Sequence, residues 1–133
     1  MASAQLAVQK AVYDTLRADP GLMAAVTGVF DHVPDGQPLP YVQVGENLVS
    51  DWSAKDFTGR EHRLSVHVWS HYPGQAQARA LLDLVDAALE HAPALLDGHR
   101  LVGLRFLAAR VLRDADGETH HGIADYRART VMD

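Results

Sequence analysis

The chain reads as an α+β domain, a mostly antiparallel sheet of four to five strands with two main helices packed on one face and a long loop between two of the strands. Three observations predict this. Residues 63–70, Arg-Leu-Ser-Val-His-Val-Trp-Ser, alternate apolar and polar side chains with the period of a half-buried strand. After a Tyr72-Pro73-Gly74 break, apolar side chains in residues 78–89 recur with the period of an α-helix. Further on, Asp116-Gly117 separates two extended-looking runs, as in a tight hairpin. With 133 residues, 47% of them hydrophobic and 22% charged, the chain suits one domain over residues 1–133, with one core.

From the N-terminus, Ser3 is placed to cap a helix over residues 4–17, in which Val8, Ala11, Val12 and Leu16 share one side. Leu6 and Tyr13 form a second small apolar strip well round that helix. It is read as core margin, a subunit contact being the other reading. Asp19-Pro20 then sets a capping residue before a proline at the first helical position, so a short helix is expected over residues 20–26, stopped near Gly28. Val29 and Phe30 begin an extended segment. Residues 34–40, with three prolines and Asp35-Gly36, form a turn-rich loop leading into a strand at residues 41–45.

Residues 46–60 hold Trp52, Phe57 and Gly59 among polar side chains with neither period, and are read as the long loop. In the strand that follows, Leu64, Val66 and Val68 face the core, while Arg63, Ser65, His67 and Trp69 line the other face. In the helix, Ala78, Leu81, Leu82, Val85, Ala88 and Leu89 form the apolar stripe, opposite Arg79, Asp83, Asp86 and Glu90. It is expected to end near His91, before Pro93. Residues 101–112 could be threaded onto a helix through Leu101, Leu104, Leu107 and Val111, but the Asp-Gly turn downstream favours a long strand bent near Gly103 or Ala108. Its partner is a terminal strand in which Ala124, Tyr126, Ala128 and Thr130 alternate with Ile123, Asp125, Arg127 and Arg129.

Motifs that carry chemistry are mostly absent from the sequence. With no cysteine, disulfides, thiolate catalysis and cysteine metal sites are excluded. No glycine-rich phosphate loop, nucleophile elbow or His-Glu-x-x-His helix is present. Eight histidines raise a metal reading, but His67 and His71 are placed in a strand and beyond its end, and the neighbours His120 and His121 point to opposite sides of a strand. Asp83 and Asp86 read as a solvated helix face. The formal charge of −5 disfavours a broad phosphate-binding surface, and no window approaches the length of a membrane span. Arginines at 100, 105, 110, 113, 127 and 129 are diluted by neighbouring acids and suit a solvated or subunit-facing sheet surface. Trp52 and Phe57, aromatics in a polar loop, either tuck back onto the domain or anchor a partner.

Taken in order, residues 39–45 (Leu-Pro-Tyr-Val-Gln-Val-Gly), the Trp52 loop, residues 63–70 with Gly74 and the alanine-rich helix, Leu101-Val102-Gly103 and residues 110–117 (Arg-Val-Leu-Arg-Asp-Ala-Asp-Gly) resemble the tail-terminator, or tail-completion, proteins of long-tailed phages and of alphaproteobacterial gene transfer agents. The few lysines and many alanines and arginines suit a GC-rich genome. The resemblance implies a structural particle protein with no reaction and no cofactor. It would form a homohexameric ring that caps the tail tube, ends its elongation and joins the tail to the neck. The implied partners are further copies of the chain, the major tail tube protein and a neck stopper or adaptor protein. DNA would pass through the ring without specific binding, and no membrane would be involved. On this reading Trp52, Phe57, Arg63, His67, Trp69, Arg127 and Arg129 are the candidate contact residues. Three other readings stay open: another head–tail connector, a metal enzyme or small-ligand protein using His67, His71, His120 or His121, and a stand-alone binding module.

Overall fold

The computed structural model describes residues 3–71 and 75–133. The Tyr72-Pro73-Gly74 break expected before the long helix lies outside them. Among the described residues, helices α1 (Ala4–Arg17) and α2 (Pro20–Ala25) precede strands β1 (Val29–Phe30), β2 (Tyr41–Asp51) and β3 (Gly59–His71). Helix α3 (Ala76–Leu89) follows, and then strands β4 (Leu95–Leu96), β5 (His99–Arg113) and β6 (Thr119–Met132). The strands form one sheet in the order β1-β2-β3-β6-β5-β4. Every neighbouring pair is antiparallel except β1 and β2, which run parallel. The sheet is therefore six-stranded and mixed, where the sequence predicts four to five mostly antiparallel strands. β1 falls on the extended segment expected at Val29 and Phe30, and the strand not foreseen, β4, is only two residues long, too short to show a period. β4 turns into β5 through Asp97-Gly98, whose glycine takes the left-handed φ of 73°.

Local chemistry accounts for the helix starts. The Ser3 hydroxyl accepts the Leu6 amide at 3.2 Å, and the Asp19 carboxylate accepts the Leu22 amide at 2.8 Å ahead of α2, with Pro20 at its start. Val8, Val12 and Leu16 of α1 are buried, with Leu22 of α2 and the expected stripe of α3 from Ala78 to Leu89. They meet Val42, Val44, Leu64, Val66, Val68, Ala124, Tyr126 and Ala128 of the sheet in one core. Each large side chain removed from water there contributes about 1.5–3 kcal/mol. Both long helices pack on the same face of the sheet, as predicted. Leu6 departs from its expected place at the core margin: it is 65% exposed, and only Tyr13 of that strip packs against the core.

The long loop is shorter than expected. β2 continues through Asp51, so the excursion shrinks to residues 52–58. A register shift between Val44 and Asn47 breaks the alternation there, which removes the strand signal from the sequence without ending the strand. β5 carries two such irregularities, between Leu101 and Gly103 and between Phe106 and Ala108, so both of the alternative bend positions are irregular where one bend is expected. The β5–β6 turn is held by Asp116, whose carboxylate accepts the amides of Glu118 and Thr119 at 2.8 and 3.0 Å, and Gly117 takes a φ of 71°.

Gly122 in β6 marks a close approach between layers. A Cβ there would lie 2.6 Å from Val68 Cγ2 and 3.1 Å from Leu82 Cδ1. Gly122→Ala is expected to lower stability by about 1–3 kcal/mol through overpacking, read as a shift in the denaturant midpoint. An unchanged midpoint would mean that α3 rides on the sheet less tightly than this spacing requires.

Candidate assembly surface

The helix-free face of the sheet carries the polar half of each long strand. Five of the seven candidate contact residues, Arg63, His67 and Trp69 from β3 and Arg127 and Arg129 from β6, lie on it because β3 and β6 pair residue for residue. That register sets Arg63 opposite Arg127, His67 opposite Ile123 and Trp69 opposite His121. Arg63 is exposed, while His67, Trp69, Arg127 and Arg129 are half-buried. Trp52 and Phe57 come from the loop at one end and are also half-buried.

Two clusters form there. In the first, the Trp69 ring stacks on His121 at 3.7 Å, and His121 stacks on His67 at 4.9 Å. The row continues through Tyr41, 6.3 Å from Trp69, to Phe30, 6.2 Å from Tyr41. His67 Nδ1 and His121 Nε2 are 2.6 Å apart, so one imidazole donates and the other accepts, and Ser65 Oγ lies 3.1 Å from the other nitrogen of His67. Burial holds His67 below the usual imidazole range, although Glu46 and Asp125 pull the other way. Burial lowers His121 too, and the charge His67 would carry adds to the effect. Both shifts favour the neutral form of the pair.

The second cluster surrounds Glu61, which pairs with Arg129 at 3.2 Å and Arg127 at 3.8 Å. The Arg129 guanidinium sits 4.8 Å above the Trp52 ring, and Trp52 packs 5.5 Å from Phe57. The loop is braced internally, the Trp52 amide donating to Gly59 O at 2.9 Å and the Gly59 amide to Ser53 Oγ at 3.0 Å. Trp52 and Phe57 fold back onto the end of the sheet, and both stay half-buried, so part of each ring is still open to a partner.

The histidine geometry alters one expectation. β3 runs on to His71, so His71 shares a side with His67, contrary to its expected place beyond the strand. Four residues along a strand still separate their Cα atoms by about 13 Å, too far to share one ion. His120 is buried on the helix side and His121 lies on the helix-free side, the opposite orientations expected of neighbours. Among the described residues no three His, Asp or Glu side chains are grouped to hold a metal. The cross-strand His67–His121 contact depends on register, which no local pattern reveals. Asp86 also differs from expectation: Asp83 is exposed, but Asp86 accepts the buried Tyr126 hydroxyl at 3.1 Å.

A braced aromatic and ionic sheet face above a single apolar core suits a structural component that works through contacts. Comparison with known proteins gives that class a family. Residues 10–131 match the family model of the tail completion protein gp17. Tail completion protein gp17 of Bacillus phage SPP1 is 31% identical over 124 residues, 93% of this chain and 92% of that protein. A chain in the solved virion of a native gene transfer agent particle matches with a TM-score of 0.86 and 39% identity, over 98% of this chain and 99% of that one. The solved structure of bacteriophage SPP1 gp17 matches with a TM-score of 0.67 and 30% identity, over 94% of this chain and 89% of that one. The chain belongs to the gp17 tail completion family, as the sequence resemblance implies. It is a structural tail protein of phage or gene transfer agent particles, not an enzyme.

Proposed function

We propose that the protein assembles as a homohexameric ring on the end of the tail tube, ends tube elongation and joins the tail to the neck. The observation that carries this reading is the match of almost the whole chain to a component of a gene transfer agent virion. The partners are then further copies of the chain, the major tail tube protein and a stopper or adaptor on the neck side. DNA passes through the ring without specific binding, a role that the net charge of −5 suits. The helix-free face, with Trp52, Phe57, Arg63, His67, Trp69, Arg127 and Arg129, contributes contacts to the ring or to the tube.

Trp52→Ala separates folding from capping, since Trp52 is half-buried and lies outside the core cluster. The variant is expected to fold but to close at least about tenfold fewer tails, the scale of one lost aromatic anchor. Electron microscopy of tails would show overlong tubes or tails lacking heads. Normal tail length and head attachment would remove the loop from the contact surface. A ring found away from the tube end, nearer the head, would assign the protein to the neck instead.

A further inference from the structure

Both long edges of the sheet are open. β4 pairs only with His99 and Arg100 of β5, so among the described residues the outer edge over residues 102–112 has no strand beside it. At the opposite side β1 covers only Val42 and Gln43 of β2, leaving residues 45–51 likewise without a neighbour. An uncovered strand of this length is a template for pairing with another chain. The apolar side chains point to the same places. Of the seven large hydrophobic residues exposed among the described residues, five lie on these strands, from 37% for Leu107 to 70% for Leu48.

The two edges differ in charge. Residues 102–112 hold Arg105 and Arg110 and no acid, and residues 45–51 hold Glu46 and Asp51 and no base. Arg110 already pairs with Asp125 at 3.5 Å and Asp51 with Arg60 at 3.1 Å, so Arg105 and Glu46 carry most of the contrast. Pairing either edge with its own copy would set like charges together, which is unfavourable across strands. Pairing β5 with β2 sets arginines against acids. Strand direction agrees as well. Following the antiparallel pairs across the sheet, β5 runs opposite to β2. Copies related by rotation about an axis along the strands keep their strand directions, so β5 of one copy meets β2 of the next antiparallel. Such a contact joins two different surfaces of one chain and repeats head to tail, as a closed ring requires.

We propose that the outer edge of β5 in one copy pairs with the outer edge of β2 in the next, so that the sheet continues from subunit to subunit. This rests on the ring reading and names the surfaces that build it. The absence of native cysteine allows a direct test. Leu48→Cys is combined in turn with Arg105→Cys, Ala108→Cys and Leu112→Cys, whose β6 partners Arg127, Asp125 and His121, like the Leu48 partner Arg63, lie on the helix-free face. Each double variant is assembled on tail tubes and oxidised.

At least one pair is expected to give a covalent ladder ending at the closed ring, with no cross-link from the single variants. A dimer from a single-cysteine variant would show an edge meeting its own copy. Cross-links only to the tube protein, or rings with no cross-link in all three pairs, would place the subunit contact elsewhere. Each of these results overturns the edge pairing and leaves the ring reading standing, whereas tails capped without any ring overturn both. Charge reversal tests the same contact without a disulfide. Glu46→Arg and Arg105→Glu are each expected to cut ring formation at least about tenfold, with most of it recovered in the double variant. Full assembly of both single variants would overturn the proposal.

Discussion

Acidification from about pH 7 to pH 4 is expected to remove about 3 kcal/mol of folding stability, most of it through His62. This β3 side chain is fully buried on the helix side, with Nε2 3.0 Å from Thr130 Oγ1 of β6 and, among the described residues, no hydrogen-bond partner on Nδ1. Burial lowers its pKa from 6.5 to about 4, and the charges on His99 and Arg60 push the same way. Between those values the unfolded chain takes up a proton that the folded chain refuses, so unfolding gains free energy as pH falls. The stabilisation is complete above about pH 6.5, declines down to about pH 4 and is level below that. His67 and His121 shift in the same direction and add to the slope. Denaturant titrations across this range measure it, and His62→Gln, which removes the titrating ring, is expected to flatten the curve. An equally steep curve in that variant would move the effect to other groups.

Most of the fold could be read from the sequence because most of it is periodic. Alternation in residues 63–70 and 123–130 places the two faces of the central strands correctly, and the same alternation extended back from Leu64 puts His62 inside. The helical stripe of α3 and the caps Ser3 and Asp19 locate the helices. What is missed is where periodicity is broken or too short. The bulges at Val44/Asn47, Leu101/Gly103 and Phe106/Ala108 each shift the alternation while the strand continues. They conceal the second half of β2 and make β5 resemble a helix.

The candidate surface was legible as a face but not as a set of contacts. Alternation alone puts Arg63, His67 and Trp69 together, and Arg127 with Arg129. Bringing those two groups together requires the β3–β6 register, a long-range property. The same register turns two unremarkable histidines into a stacked, hydrogen-bonded pair and places Glu61 between two arginines. Ile123 illustrates the limit. It falls on the polar side by alternation yet is buried, because it lies between His67 of β3 and Arg110 of β5.

Tyr126 is expected to be the most costly single truncation in the sheet. It is the largest of the fully buried side chains, its ring meets Phe106 edge-on at 5.8 Å, and its hydroxyl reaches Asp86 of α3. Burial and the Asp86 charge both raise its pKa, so it remains a neutral donor at any ordinary pH. Tyr126→Phe keeps the ring and removes only the hydrogen bond to a half-buried carboxylate that water can still reach, a loss of about 1 kcal/mol. Tyr126→Ala opens a cavity between sheet and helix and is expected to lose about 3–5 kcal/mol, a large share of the stability of a domain this size. The comparison also bears on assembly. Phe106, half exposed on the open β5 edge, rests on the Tyr126 ring. Tyr126→Phe keeps that support and should cap tails normally despite its lower denaturant midpoint. If it folded but failed to cap, the hydroxyl–Asp86 link between α3 and β6 would itself be needed to present the edge.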